Sequence, residues 1–147
     1  YRDVMTMKSK EFLLKYKDKL PLEAMTELKS IFEELDFLQT AFDANPCTIS
    51  LIDEKGCYVN ANAEMLKLVN ISKDKFLGTK LGTLTKDSTI QRLITELKES
   101  DQLSKHLIID TVIDGQRKVF FITANKVGDK VLTTGLDITA TKDLEEE

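Results

Sequence analysis

Apolar residues recur at helical spacing through the first third of the chain and at strand-like spacing through much of the rest. Ala24, Leu28, Ile31, Leu35, Leu38 and Phe42 follow one another in steps of four and three, which aligns them as one stripe along a helix. Five such steps mark an amphipathic helix and stop short of the sustained heptads of a coiled coil. Met5, Phe12, Tyr16 and Leu20 give the preceding segment a weaker apolar face. Leu20-Pro21 separates the two, because proline suits the first turn of a helix and disfavours helical geometry in the residue before it. Residues 1–45 hold one proline and no glycine, so the pattern predicts two helices, 3–19 and 21–43.

After Asn45-Pro46 the period changes. Cys47 to Asp53 is β-branched and apolar, and the turn signal Asp53-Glu54-Lys55-Gly56 leads into Cys57-Tyr58-Val59, which together read as a hairpin. Asn62 is placed to cap a helix from Ala63 to Val69, and Ser72 a second from Lys73 to Leu77 that Gly78 stops. A longer amphipathic helix over Asp87–Lys98 buries Ile90, Leu93, Ile94 and Leu97. Three strands follow, Lys105–Ile113, Lys118–Lys126 and Lys130–Asp137, with tight turns at Asp114-Gly115 and Gly128-Asp129. This order predicts an α+β domain, a five-stranded antiparallel sheet with short helices on one face, preceded by two helices.

Charge refines the first segment. Residues 1–20 carry six basic side chains against three acidic ones, a net of +3, whereas residues 21–45 carry six acidic against Lys29 alone, a net of −5. Such complementarity favours packing of the helices on each other or on the same pair in a second subunit; plain solvated charge is the alternative. The whole chain, at 41% hydrophobic, 31% charged and net charge −4, has ordinary soluble composition. It offers nucleic acid no extended phosphate-neutralising surface. The longest apolar runs, such as Val119-Phe120-Phe121-Ile122, are far below the roughly 18 residues of a membrane span, and no cleavable signal pattern opens the chain. A cytoplasmic location is expected, with no direct membrane insertion. A start at Tyr1 and a stop in an acidic helical run leave room for a longer parent protein, including a membrane-bound sensor of which this is the cytoplasmic part.

Cys47 and Cys57 form no CxxC unit and the chain has one His, so no ordinary Cys/His zinc set can be assembled; two buried reduced thiols are expected, and no metal. No Gly-rich phosphate loop, nucleophile elbow or HExxH string occurs, and reactive groups do not cluster, so catalysis is not expected.

Several strings resemble the PAS family of sensory domains. Ala41-Phe42-Asp43-Ala44-Asn45-Pro46 followed by Ile49-Ser50-Leu51-Ile52-Asp53 is similar to the family's opening helix end and first strand. Gly56-Cys57-Tyr58-Val59-Asn60-Ala61-Asn62-Ala63 resembles its turn, second strand and helix-starting Asn. Ser72-Lys73-Asp74-Lys75-Phe76-Leu77-Gly78 resembles its Ser-x-x-x-hydrophobic-hydrophobic-Gly segment, and Gly135-Leu136-Asp137-Ile138-Thr139 its closing Asp-Ile-Thr. The likeness covers residues 41–141 and divides the chain into a helical extension (1–43, the expected dimerisation region), a PAS-like sensory domain (44–139) and the start of an outgoing helical connector (140–147).

The resemblance implies a small cavity between sheet and helices and a role in sensing or dimeric relay. It brings no cofactor with it. The flavin-binding members' reactive Cys lies in an Asn-Cys-Arg-Phe segment that is missing here, and the haem-binding members' His falls on the long helix, where residues 87–98 have none. His106 is expected at a solvent edge or in a structural role, with axial ligation from an unusual position as the alternative. Ile49, Leu51, Leu66, Ile94, Ile109, Phe121 and Leu132 are candidates for the cavity wall or for plain core, and Asn60, Thr123 and Thr134 for its polar contacts. Asp137 and Thr139 are expected to secure the junction with the outgoing helix. Ala24, Leu28, Ile31, Leu35, Leu38 and Phe42 are the expected homodimer stripe. An unidentified small-molecule ligand and a downstream effector domain in a longer chain, as in a two-component regulatory system, complete the expected partners; a constitutive dimerisation or protein-interaction module with a filled core is the alternative.

Overall fold

The computed structural model describes residues 5–84 and 88–146. The expected helix starts at residues 3 and 87 lie outside the described residues. The chain divides into two compact units, Tyr1–Ala44 and Asn45–Glu147.

The first unit is a helical hairpin. Thr6 opens α1 (Met7–Tyr16) by accepting a hydrogen bond from the Ser9 amide at 3.2 Å. The helix ends at Tyr16, ahead of the expected residue 19, because the chain tightens into a turn there, with Lys19 N donating to Tyr16 O at 2.9 Å. Pro21 then lends its carbonyl to the first bond of α2 (Leu22–Ala44), from Met25 N at 3.0 Å. Phe12 meets Phe32 edge to face at 5.3 Å between ring centroids, and Asp36 accepts from Thr6 N at 2.9 Å, so the helices run antiparallel. Of the expected stripe, Ala24, Leu28 and Phe42 are half-buried while Ile31, Leu35 and Leu38 are at least half exposed.

The second unit is a five-stranded antiparallel sheet with its first three helices on one face. The elements run β1 (Thr48–Ile52), β2 (Tyr58–Ala61), α3 (Ala63–Val69), α4 (Lys73–Phe76), α5 (Thr89–Glu99), β3 (Ser104–Ile113), β4 (Gln116–Val127), β5 (Lys130–Asp137) and α6 (Thr139–Glu146). The strands lie in the order β2-β1-β5-β4-β3, which puts first and last in the chain side by side at the centre. Asp114 and Gly115 take φ of 50° and 78°, the left-handed pair that a two-residue hairpin needs to match strand twist. Ser72 precedes α4 in extended geometry, yet its side chain makes no capping bond; its carbonyl accepts from Lys75 N and Phe76 N instead.

The core lies between sheet and helices. Leu93, Ile94 and Leu97 of α5 pack on Phe120, Ile122 and Ala124 of β4, and Phe76 of α4 stacks on Tyr58 with centroids 4.4 Å apart. Full burial of each larger side chain stabilises the unit by roughly 1.5–3 kcal/mol. α6 packs on β4 as well. It covers Val119, which alternation assigns to the other face of the sheet and which is nevertheless buried.

Candidate functional site

Strand parity decides what the sheet offers its helices. Ser50 and Ile52, Tyr58 and Ala61, Phe120, Ile122 and Ala124, and Val131, Thr133 and Gly135 are the buried positions that β1, β2, β4 and β5 turn toward these helices, Val119 being the one buried on the other face. Between these strands and the helices is a cavity of about 400 Å³. Its walls are Tyr58, Met65, Leu68, Val69, Leu81, Ile90, Ile109, Val112, Ile113, Phe120 and Ile122, with Thr48, Ser50, Gln91, Thr111, Thr133 and Thr134 as polar neighbours and Gly82 and Gly135 between them. Val112 borders the cavity while two-thirds exposed, which sets an opening beside the edge strand β3. Ser50 and Thr133 are register partners, and their hydroxyl oxygens lie 2.5 Å apart. At Gly135 a Cβ would stand 2.5 Å from the Thr48 hydroxyl and 3.1 Å from Ile122, so glycine is what lets β1 and β4 side chains close over this end.

Of the ten residues expected at the wall, Ile109 and Thr134 border the cavity. Ile94 is buried in the core and Leu66 packs against it, away from the cavity lining. The other six form a patch on the opposite side of the sheet, which the Thr134 side chain joins by pairing its hydroxyl with that of Thr123, so Thr134 meets the cavity through its main chain. There Leu51 stands between Asn60 and Leu132, Ile49 beside Thr134, and Phe121 between Ile108 and Leu136. The reading by hydrophobicity missed Ser50 and Thr133 because β1 inverts the usual alternation: Thr48 and Ser50 turn inward, Ile49 and Leu51 outward. Met65, Leu68 and Val69 did leave a signal, the i, i+3, i+4 spacing of one helix face.

The sheet's last strand ends in a lock. The Asp137 carboxylate accepts from both the amide (3.0 Å) and the hydroxyl (2.5 Å) of Thr139. The Thr139 hydroxyl in turn accepts from Val119 N at 2.9 Å, and Lys118 reaches Asp137 at 3.4 Å. These donors, the Thr139 hydroxyl foremost, hold the Asp137 carboxyl below its ordinary value. Asp137 and Thr139 are thus brought together where β5 meets α6.

Arg117 extends that lock, and nothing in its spacing marked it. Its guanidinium, on β4, binds Asp110 of β3 through two bonds (2.9 and 3.2 Å) and Glu146 of α6 through two more (2.9 and 3.0 Å), and reaches Asp143 at 2.9 Å. Fork-to-fork pairing of this kind is directional as well as attractive. The guanidinium lowers the Asp110 and Glu146 carboxyls, and the two carboxylates raise Arg117 in return.

Cys47 and Cys57 are free and half-buried, where full burial was expected, and neither borders the cavity. His106 is exposed on β3 with its ring 5.5 Å from that of Phe121, on the face away from the cavity. Among the described residues no three His, Cys, Asp or Glu side chains gather to hold a metal ion, and no helix is long and apolar enough to cross a membrane.

No family model and no curated protein sequence matches this chain. Solved structures do match it. The PAS domain of BvgS from Bordetella pertussis is similar at 18% identity and a TM-score of 0.61, over 80% of this chain and 92% of that one. The PAS domain of nitrogen regulation protein NR(II) from Vibrio parahaemolyticus matches at 17% identity and TM-score 0.57, covering 69% of this chain and 97% of its own. The photoactive yellow protein domain of the sensor histidine kinase Ppr from Rhodospirillum centenum matches at 16% and 0.57, with 65% and 94% covered.

Proposed function

We propose, for a chain that carries the PAS fold, that this is a sensory or signal-relay module, one that binds a small molecule non-covalently in the cavity and passes its occupancy to the outgoing helix within a dimer. The observation that carries this reading is a continuity of structure. β5 supplies Thr133 and Gly135 to the cavity and, two residues later, Asp137 to the lock on α6. A shift of β5 on filling the cavity therefore acts directly on the exit. Ligand binding drives such a switch only through different affinities for two arrangements of the lock.

PAS-fold neighbours include a domain of a sensor histidine kinase, and a downstream effector in a longer chain is the partner this reading implies. The module works in the cytoplasm, by itself or as the cytoplasmic part of a membrane-bound sensor, and has no catalytic step of its own. Its homodimer forms through the α2 stripe, where Ile31, Leu35 and Leu38 are exposed. That same exposure favours the second reading, a constitutive dimerisation module with no ligand.

Mass spectrometry of the protein under native conditions, before and after denaturation, separates the two. A stoichiometric small molecule released on unfolding supports sensing. An empty protein whose α6 amides exchange at one rate, whatever metabolite extract is added, supports constitutive assembly.

A further inference from the structure

We propose that the cavity takes an uncharged, ring-sized apolar molecule that presents a carbonyl, or a similar hydrogen-bond acceptor, to the paired hydroxyls of Ser50 and Thr133. This deepens the sensing reading above and rests on it.

The hydroxyl pair is where the core departs from what packing alone asks. Ser50 and Thr133 sit on adjacent strands inside the sheet and are only 3% and 8% exposed. Alanine and valine would fill these places without a polar group to satisfy. Both strands instead turn polar side chains toward the cavity, with Ile49, Leu51 and Leu132 sent to the other face. Each hydroxyl brings one proton and two acceptor sites. The bond between them engages one proton, which leaves the other to donate into the cavity.

The rest of the lining sets size and charge. Tyr58, Met65, Leu68, Ile109, Phe120 and Ile122 make an apolar enclosure. Every described lining residue is uncharged at neutral pH, so an ionised ligand group would enter a desolvated site without a counter-charge from them. At the density of protein interiors, about 0.74, a space of about 400 Å³ takes up to about 300 Å³ of ligand, which leaves ample room for one substituted aromatic ring.

Four probes of nearly one shape test this: acetophenone, ethylbenzene, benzoate and benzylamine, each titrated into the full chain and followed by methyl NMR of Ile109 and Ile122. Acetophenone is expected to bind about tenfold tighter than ethylbenzene, the worth of one hydrogen bond, and at least tenfold tighter than either ion. In the double variant Ser50→Ala/Thr133→Val, the preference for acetophenone over ethylbenzene should fall to near one, with ethylbenzene affinity kept. Should that variant fail to fold, Ser50→Ala/Thr133→Ala, which likewise removes both hydroxyls, should lower the same ratio; either single variant keeps one donor and should keep the preference. Benzoate or benzylamine binding as tightly as acetophenone overturns the ligand class and leaves cavity sensing standing, as does a preference unmoved by the double variants. If none of the four perturbs the cavity methyls, the ligand class falls, while the sensing reading stands or falls by the bound-molecule mass measurement above.

Discussion

Two buried polar sites show how single residues serve fold and site differently. Asn62 is fully buried; its side-chain oxygen accepts from Ile49 N (2.9 Å) and Met65 N (3.1 Å), and its amide donates to Cys47 O (2.8 Å). It therefore ties β1 to the start of α3. Asn62→Ala should cost roughly 2–3 kcal/mol in denaturant unfolding, since it strands main-chain donors away from water. Its capping role was legible from Asn62 standing before a helical pattern, but its bonds to β1 were not, because they exist only once β1 lies alongside. Ser50 and Thr133 serve the cavity. Either Ser50→Ala or Thr133→Val alone leaves one hydroxyl without its partner and should destabilise by about 1–2 kcal/mol. The double variant should cost less than the two together, measured as a coupling energy in a double-mutant cycle.

At the scale of elements, α2 and α6 are held by different forces. The α2 stripe leaves Ile31, Leu35 and Leu38 each at least half exposed to solvent. Under the proposed dimer, changing these three to Ser should convert dimer to monomer in sedimentation experiments at micromolar protein, with helicity of the hairpin retained. α6 carries no buried residue and is held by polar contacts at its two ends. Arg117→Gln should speed amide exchange over residues 139–146 while barely moving the global unfolding midpoint, because Asp110, Asp143 and Glu146 all lie more than half exposed. High salt should act in the same direction.

The Asp137 lock adds a pH dependence. The Asp137 carboxyl is depressed in the folded chain, so the stability it contributes is present above its unfolded value and fades as pH falls through the folded one. Relative to the intrinsic amide rate, exchange in α6 should accelerate as the solution is taken below about pH 4, and Asp137→Asn should reduce that acceleration, the remainder coming from Asp110 and Glu146, whose carboxyls Arg117 also holds low. The outgoing helix itself was legible in Asp-Ile-Thr and the polar run after it. Arg117 was not, because its partners stand 7, 26 and 29 residues away and meet it only through the β3–β4 hairpin and the return of α6.

For the molecule as a whole, the two units have separate interiors, and the sheet unit holds a contiguous core from Ile52 to Val131. Residues 45–147 should therefore fold without the hairpin and melt within a few degrees of the full chain in calorimetry. The elements of both units could be read from the chain, since helical and strand periods differ and Asp114-Gly115, Gly56 and Pro21 punctuate them. Their boundaries moved by a few residues where a turn tightened, as at Tyr16. What the amino-acid sequence determined by itself was local: element order, turns, the cap at Asn62, the class of the sheet. Only the tertiary structure decided which face of each strand meets the helices. An alternating pattern distinguishes two faces without saying which is inside, and here apolar residues line both. Ile49, Leu51, Phe121 and Leu132 went outward, and the inward places that border the cavity on the two central strands went to Thr48, Ser50, Thr133 and Gly135, so the cavity is polar at the point where the chain's hydrophobicity alone put its walls.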